Sequence, residues 1–216
     1  SDSEYMAMAP FRWPASATRN GGRFFADGRF YHPDGKARML PIRYRPPASE
    51  PCPEFPFRLN TGRIRDQWHT MTRTARSPRL AAHLAEPFLE IHPEDARRLG
   101  IAPADLVRLE NPQGKAILRA RITDAVAPGD VFAPMHWTRQ QSSNGCINTL
   151  PPPVVDPISG HPASKRLPVT ATKFNAAWFG FAASLAPMRP KEAYSAVARS
   201  LTGWQGEFAG TETPEN

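Results

Sequence analysis

Fourteen consecutive residues, TGRIRDQWHTMTRT from Thr61 to Thr74, concentrate the side chains best suited to holding an anionic ligand. Thr61, Thr70, Thr72 and Thr74 offer hydroxyl donors. The guanidinium groups of Arg63, Arg65 and Arg73 can each make bidentate contacts to phosphate oxygens. Gly62 allows a close backbone approach, and Trp68 and His69 present flat faces or ring nitrogens to a heterocycle. Together these suit a ligand with both a pyrophosphate and fused rings. The same composition also suits a basic surface loop anchored by a buried tryptophan. It contains neither a G-x-G-x-x-G fingerprint nor a P-loop.

A second group lies in NGCINTLPPPVVDPISGHPASK. The amide of Asn148 is donor and acceptor at once and can read a ring edge, and Lys165 is a point charge for a phosphate or carbonyl. Asp156-Pro157 and Ser159-Gly160 are turn formers that would hold this loop. If both Asn148 and Lys165 serve one ligand, the proline-rich chain between them must fold back toward the Thr61–Thr70 loop. His136, beside Trp137 at a strand end, is a further candidate to line the site. The six histidines show no metal spacing and no H-E-x-x-H. Cys146 has no visible base and is read as inert, while Glu94 and Asp95 read as helix-dipole partners rather than an acid–base pair.

The elements that must position these residues are mostly strands. FRLNTG gives a short strand ending at Gly62, where the loop opens, and Phe88–Ile91 gives another. His92-Pro93 starts a helix that Gly100 stops. Residues 105–137 form the clearest β region, with a hairpin at Asn111-Pro112-Gln113-Gly114 and a turn at Pro128-Gly129-Asp130. A last strand runs over Leu167–Thr172. The lead-in FFADGRFYHPDGKARMLPI, with Asp27-Gly28 and Asp34-Gly35 as turns, predicts short strands or a hairpin, and YRPPASEPCPEFP predicts a linker. KEAYSAVARSLTG predicts a short amphipathic helix, and the final residues predict disorder. The sum is mainly β with short helices, compatible with a small closed barrel.

Twenty-five prolines among 216 residues are more than twice the usual share, so extended and turn geometry dominates. A net charge of +7 implies an anionic partner of some kind. Two cysteines exclude a disulfide scaffold or cysteine-rich metal site within this chain, and reduced thiols in a cytosolic protein are the simpler expectation. The most apolar run, Ala176–Ala186, is too short to span a bilayer. The start, SDSEYM, has no basic-then-apolar signal pattern and lacks an initiating methionine, which suggests a processed product or a piece of something longer.

TGRIRDQWHTMTRT, then EPFLEIHPEDARRLGI, VFAPMHW, and N-x-L-x-x-P-x-x-D-P-x-S-G with a following lysine together resemble the C-terminal segment of the molybdopterin-dependent oxidoreductases. The flanks FRWP, FFADGRFYHPDGKARM and AAWFGFAAS narrow the resemblance to the assimilatory nitrate reductase catalytic subunit. The resemblance implies a double-psi β-barrel over residues 57–174, preceded by an extended lead-in over 1–56 and followed by an extension over 175–216. It implies that the barrel caps a bis(molybdopterin guanine dinucleotide) molybdenum centre of a cytoplasmic nitrate-assimilating enzyme. The implied contacts are Thr61, Gly62, Arg63, Gln67, Trp68, His69 and Thr70, with Thr72, Arg73 and His136 nearby and Asn148 and Lys165 completing the grip. No residue of this chain is implied as a catalytic group or metal ligand. The resemblance further implies a 4Fe-4S cluster held by a preceding N-terminal part, so the isolated chain is expected to be inactive. The implied partners are the remainder of the oxidoreductase chain and a donor reductase or ferredoxin, with neither nucleic acid nor membrane. Pro151, where the family commonly has threonine, and His161, where glutamine is common, depart from the pattern. A formate dehydrogenase is the neighbouring alternative. A basic nucleic-acid-binding β module is the alternative of another class, and would show Lys/Arg interleaved with aromatics along a stripe.

Overall fold

The computed structural model describes residues 1–13, 15, 22–189 and 191–212. Ser1–Arg45 and Pro46–Asn216 are separate compact units. In the first, α1 (Asp2–Met6) carries a capping box in which the Ser1 hydroxyl accepts from Glu4 N–H and the Glu4 carboxylate accepts from the terminal ammonium of Ser1. The lead-in departs from expectation. Its turns form, with Gly28 N–H donating to Phe25 O at 3.0 Å and Gly35 N–H to His32 O at 2.8 Å. Among the described residues no strand follows either turn, because the aromatics stack on one another instead: the Phe25 and Phe30 rings lie 4.9 Å apart.

In the second unit the chain runs β1 (Phe57–Gly62), α2 (Pro78–Ala81), β2 (Phe88–Ile91), α3 (Pro93–Arg98), β3 (Leu106–Asn111), β4 (Gly114–Ile122), β5 (Asp130–Pro134) and β6 (Leu167–Lys173). Among the described residues these six strands close into a barrel of order β1-β5-β2-β4-β3-β6. Its pairing is mixed: β1/β5 and β2/β4 are parallel, and the other four pairs are antiparallel. This is the mainly β, double-psi barrel class. The alternation that makes β1 a strand also fills the barrel: Phe57, Leu59 and Thr61 point inward, while Arg58, Asn60 and Gly62 are half-exposed. Leu59, Leu89, Leu109 and Leu118 are fully buried in one cluster, each stabilising the fold by roughly 1.5–3 kcal/mol.

Local chemistry ends each element where the sequence does. His92 Nδ1 accepts from Glu94 N–H at 3.2 Å and starts α3. Asn111 Oδ1 accepts from the amides of Gln113 (3.0 Å) and Gly114 (3.2 Å) to turn the β3–β4 hairpin. Its amide also donates to Leu150 O at 2.9 Å, tying the proline-rich loop to the barrel. Asp95 does more than offset a helix dipole: its buried carboxylate accepts from Gly129 N–H and from Arg98, both at 2.6 Å. Gly129, at φ +80, turns the chain into β5.

The tail is not helical. β7 (Trp178–Ser184), β8 (Tyr194–Arg199) and β9 (Trp204–Gly210) form a three-stranded antiparallel sheet of order β7-β9-β8. β8 is strand because its faces are buried and both its edges are paired. Tyr194 and Ala196 pack on Leu106, Ile117 and Phe174 of the barrel side, while along the edge opposite β9 Val197 N–H donates to Gln141 O at 2.7 Å. A polar network, buried at Tyr194 and exposed at Glu207, joins sheet to barrel: Arg119 donates to Glu86 at 3.0 Å and to Glu207 at 2.7 Å, and the Tyr194 hydroxyl donates to Glu86. Burial, with Glu86 beside it, pushes the Tyr194 phenol well up from its ordinary value. Cys52 and Cys146 are both free thiols. Among the described residues no helix is long and apolar enough to cross a membrane.

Candidate functional site

Strand direction explains why distant residues meet at one end of the barrel. β1 and β5 are parallel with Gly62 opposite Pro134, so their C-terminal ends coincide. β6 is antiparallel to β1 with Leu167 opposite Leu59, so the residues just before β6 arrive at that same end. Three connections close it: Thr61 Oγ1 donates to Ser164 O at 3.1 Å, the Lys165 ammonium donates to Thr61 O, and Arg166 N–H donates to Asn60 Oδ1 at 3.2 Å. On the other flank Met135 N–H donates to Gly62 O at 3.0 Å, and the Asn148 amide donates to Met135 O at 3.4 Å. Asn148 is placed there by a 3-10 turn, Ile147–Thr149, whose Ile147 is fully buried in the core. Asn148 and Lys165 therefore share the barrel end from which the Thr61–Thr74 loop departs. The intervening loop folds back through a turn in which Asp156 Oδ1 accepts from the amides of Ile158 (3.1 Å) and Ser159 (2.8 Å). These bonds, Ser159's foremost, hold the Asp156 carboxyl below the usual range.

The loop divides into outward and inward side chains. Arg63, Trp68, His69, Thr70, Thr72 and Arg73 are exposed, as are Asn148 and Lys165. Thr61, Gln67 and His136 are buried. Gln67 is turned into the protein, where its amide donates to Leu80 O at 3.4 Å and its carbonyl accepts from Thr74 Oγ1 at 2.7 Å. His136 is fully buried behind the loop, with Nε2 accepting from Ile64 N–H at 3.0 Å and Nδ1 lying 2.7 Å from His69 O. Burial is the main cause holding its pKa below the ordinary histidine value. Both ring nitrogens of His136 are thus engaged with protein.

Trp68 is not a buried anchor. It is 53% exposed, with the Arg63 guanidinium 5.5 Å from its ring centre and the His69 ring perpendicular at 4.5 Å. The anchor is Met71, at 4% exposure. Sinking Met71 between exposed Thr70 and Thr72 takes positive φ at His69 (45°) and Met71 (59°), a conformation L residues adopt only when held. Nothing in the local sequence signals this. Gly62 has a packing reason beside the expected one: a Cβ there would lie 2.8 Å from the Phe132 ring, so something in β5 would have to shift.

Among the described residues Arg63 and Arg73 have no carboxylate within ion-pair distance. Arg65 is engaged with Asp66 at 3.1 Å. Asp66 also pairs with His83, and that bond foremost holds its carboxyl below the usual range. Beside the loop lies a cavity of about 570 Å³ lined by Arg63, Arg65, His83, Phe88, Arg121 and Phe132, and an open hollow of about 460 Å³ lies against Thr72, Arg73 and Arg76. Unpaired guanidiniums, exposed hydroxyls and an exposed indole fit a pyrophosphate-bearing ligand with fused rings.

Comparison with known proteins follows that chemistry. A nitrate reductase from Klebsiella oxytoca is 40% identical over 174 residues, 81% of this chain and 20% of the relative. The assimilatory nitrate reductase catalytic subunit of Bacillus subtilis (strain 168) is 34% identical over 154 residues, covering 70% and 21%. The F420-dependent formate dehydrogenase subunit alpha of Methanocaldococcus jannaschii is 36% identical over 138 residues, covering 63% and 20%. The chain spans about a fifth of the length of these relatives. The family model described as the molydopterin dinucleotide binding domain matches residues 57–168, which runs from the first residue of β1 into β6 and covers more than half of the chain. The chain belongs to the molydopterin dinucleotide binding domain family.

Proposed function

We propose that this chain is the cofactor-capping domain of a molybdenum oxidoreductase that reduces nitrate to nitrite, holding a bis(molybdopterin guanine dinucleotide). One observation carries the reading: the exposed donors of the Thr61–Thr74 loop, Asn148 and Lys165 gather at one end of the barrel. When bound, the molybdenum cofactor supplies the two-electron transfer. This chain's residues bind and orient it. Arg63 and Arg73 would meet phosphate oxygens, the Thr70 and Thr72 hydroxyls would donate to them, and Trp68 would lie against a ring system. Asn148 would read a ring edge, and Lys165, already aimed along the loop's first carbonyl, would add a point charge.

The tilt toward nitrate rests on the nitrate reductases among the relatives. The formate dehydrogenase relative keeps formate as the second reading. The partners under this reading are the remainder of the polypeptide and a cytoplasmic electron donor. The test is made in the full-length enzyme with Arg63→Ala and Thr70→Ala. Both should fold within about 0.5 kcal/mol of the wild type, as exposed substitutions do, yet copurify with less molybdenum and guanine nucleotide. Normal cofactor content in both variants would reject the binding role. Turnover of nitrate against formate, measured on the loaded wild type, separates the two substrates.

A further inference from the structure

The partners of the buried His136 ring admit a single chemical state. Ile64 offers an N–H, which only donates, and His69 offers a carbonyl, which only accepts. Nε2 must therefore carry the lone pair and Nδ1 the hydrogen, on an uncharged ring. The two contacts bracket the stretch from Ile64 to His69, which includes Trp68 and begins beside Arg63. His69 itself sits at positive φ, a backbone state that must be held in place.

We propose that His136 is a positioning residue whose neutral imidazole fixes the loop in the form that receives a pyrophosphate-bearing ligand, so that acid releases the grip. The proposal rests on the binding role assigned to the loop above. Protonation would set an Nε2–H against the Ile64 N–H, removing one bond and opposing two donors. The groups facing the ring are Arg63 and His69, and both oppose a positive charge there. The loop's carboxylate, Asp66, is already taken by Arg65 and His83. Burial acts first and in the same direction, outweighing the His69 carbonyl, which favours the charged ring. The clamp is therefore intact at neutral pH and is lost as pH falls through the depressed folded value, below the ordinary 6.5.

The test uses the 216-residue chain labelled with nitrogen-15. The His136 ring nitrogens and hydrogen exchange at the Ile64 amide are followed from about pH 8 to about pH 5. GDP, a soluble purine pyrophosphate, is titrated calorimetrically over the same range. The wild type should show the Nδ1–H tautomer and a protected Ile64 amide at neutral pH, both lost together in acid. His136→Phe should keep the barrel's circular dichroism, expose Ile64 to exchange and bind GDP about tenfold more weakly, as loss of one charge-assisted contact would. His136→Gln places an amide oxygen near the position of Nε2 and should restore most of the Ile64 protection without the acid transition. The phosphate titration of GDP is common to wild type and Gln variant, so their difference isolates the ring. A Phe variant with wild-type Ile64 protection and GDP affinity would overturn the proposal, as would a wild-type ring in the opposite tautomer. Should Phe fail to fold, a Gln variant that keeps the full acid transition overturns it equally. A wild type that binds no GDP, yet loses Ile64 protection on His136→Phe, would refute the loop's binding role while supporting the clamp.

Discussion

Replacing Asp95 by alanine separates a helix-dipole role from a structural clamp by magnitude. A carboxylate acting only on the dipole of a six-residue helix contributes about 0.3–1 kcal/mol. The structure asks more of it. Asp95 is 5% exposed and accepts from Gly129 N–H at 2.6 Å, and losing a hydrogen bond to a charged acceptor costs about 1.5–3 kcal/mol. The Arg98 contact adds little, because that guanidinium is 59% exposed and rehydrates. Asp95→Ala should therefore lower stability by about 2–4 kcal/mol, and Asp95→Asn, which keeps a neutral acceptor, by about half that. Urea denaturation of the chain, analysed by linear extrapolation with the slope held in common, reads both values. A loss below about 1 kcal/mol for alanine, or equal losses for alanine and asparagine, would refute the clamp. The consequence reaches the site, since Gly129 turns the chain into β5, and β5 delivers Met135 and His136 to the barrel end.

Three further outcomes are expected. Gly62→Ala should destabilise the chain by about 1–2 kcal/mol through overpacking on Phe132, and Phe132→Leu in the same chain should recover most of the loss; a fully stable single variant with reduced cofactor would restore the ligand-approach reading. Lys165→Ala in the full-length enzyme should weaken cofactor retention about tenfold, the size of one charged contact, measured as molybdenum per mole after dialysis. Because the folded Asp156 carboxyl is depressed, its contribution to the 156–160 turn is present above the unfolded value of 3.8 and is lost as pH falls through the folded one. Protection of the Ile158 and Ser159 amides from hydrogen exchange, relative to the intrinsic rate, should be lost only in that acid window, whereas an Asp156→Ala chain, which lacks the acceptor, should exchange rapidly above it as well.

Much of the barrel was legible because its strands obey local rules. Phe57–Gly62 alternates inward and outward, Phe88–Ile91 is a short apolar run before a proline-started helix, and Asn111-Pro112-Gln113-Gly114 is a turn by composition. The tail departs from expectation because alanine-rich KEAYSAVARSLTG satisfies helical spacing, and only distant partners, the barrel against one face and residues 141–143 along one edge, make it a strand. In the site, exposed donors were identifiable from residue type. The inward turn of Gln67 and the burial of Met71 were not, since each depends on partners supplied by neighbouring turns. The role of His136 was illegible for a stronger reason. Its contacts lie 72 and 67 positions away, and no window of sequence joins them.

The pairing of β1 with β6 has a kinetic meaning. Phe57 meets Val169 across the seam that closes the barrel, so the strand that opens the binding loop is completed by the last barrel strand to be synthesised. Contacts so far apart in the chain are slow to form, because the loop entropy must be overcome before they stabilise anything. A nascent chain that has made β1 through β5 still lacks the Ser164 and Lys165 contacts on Thr61. The mouth of the barrel therefore cannot close before Leu167–Lys173 is made, and on the proposed reading cofactor uptake should require a chain whose β6 has left the ribosome.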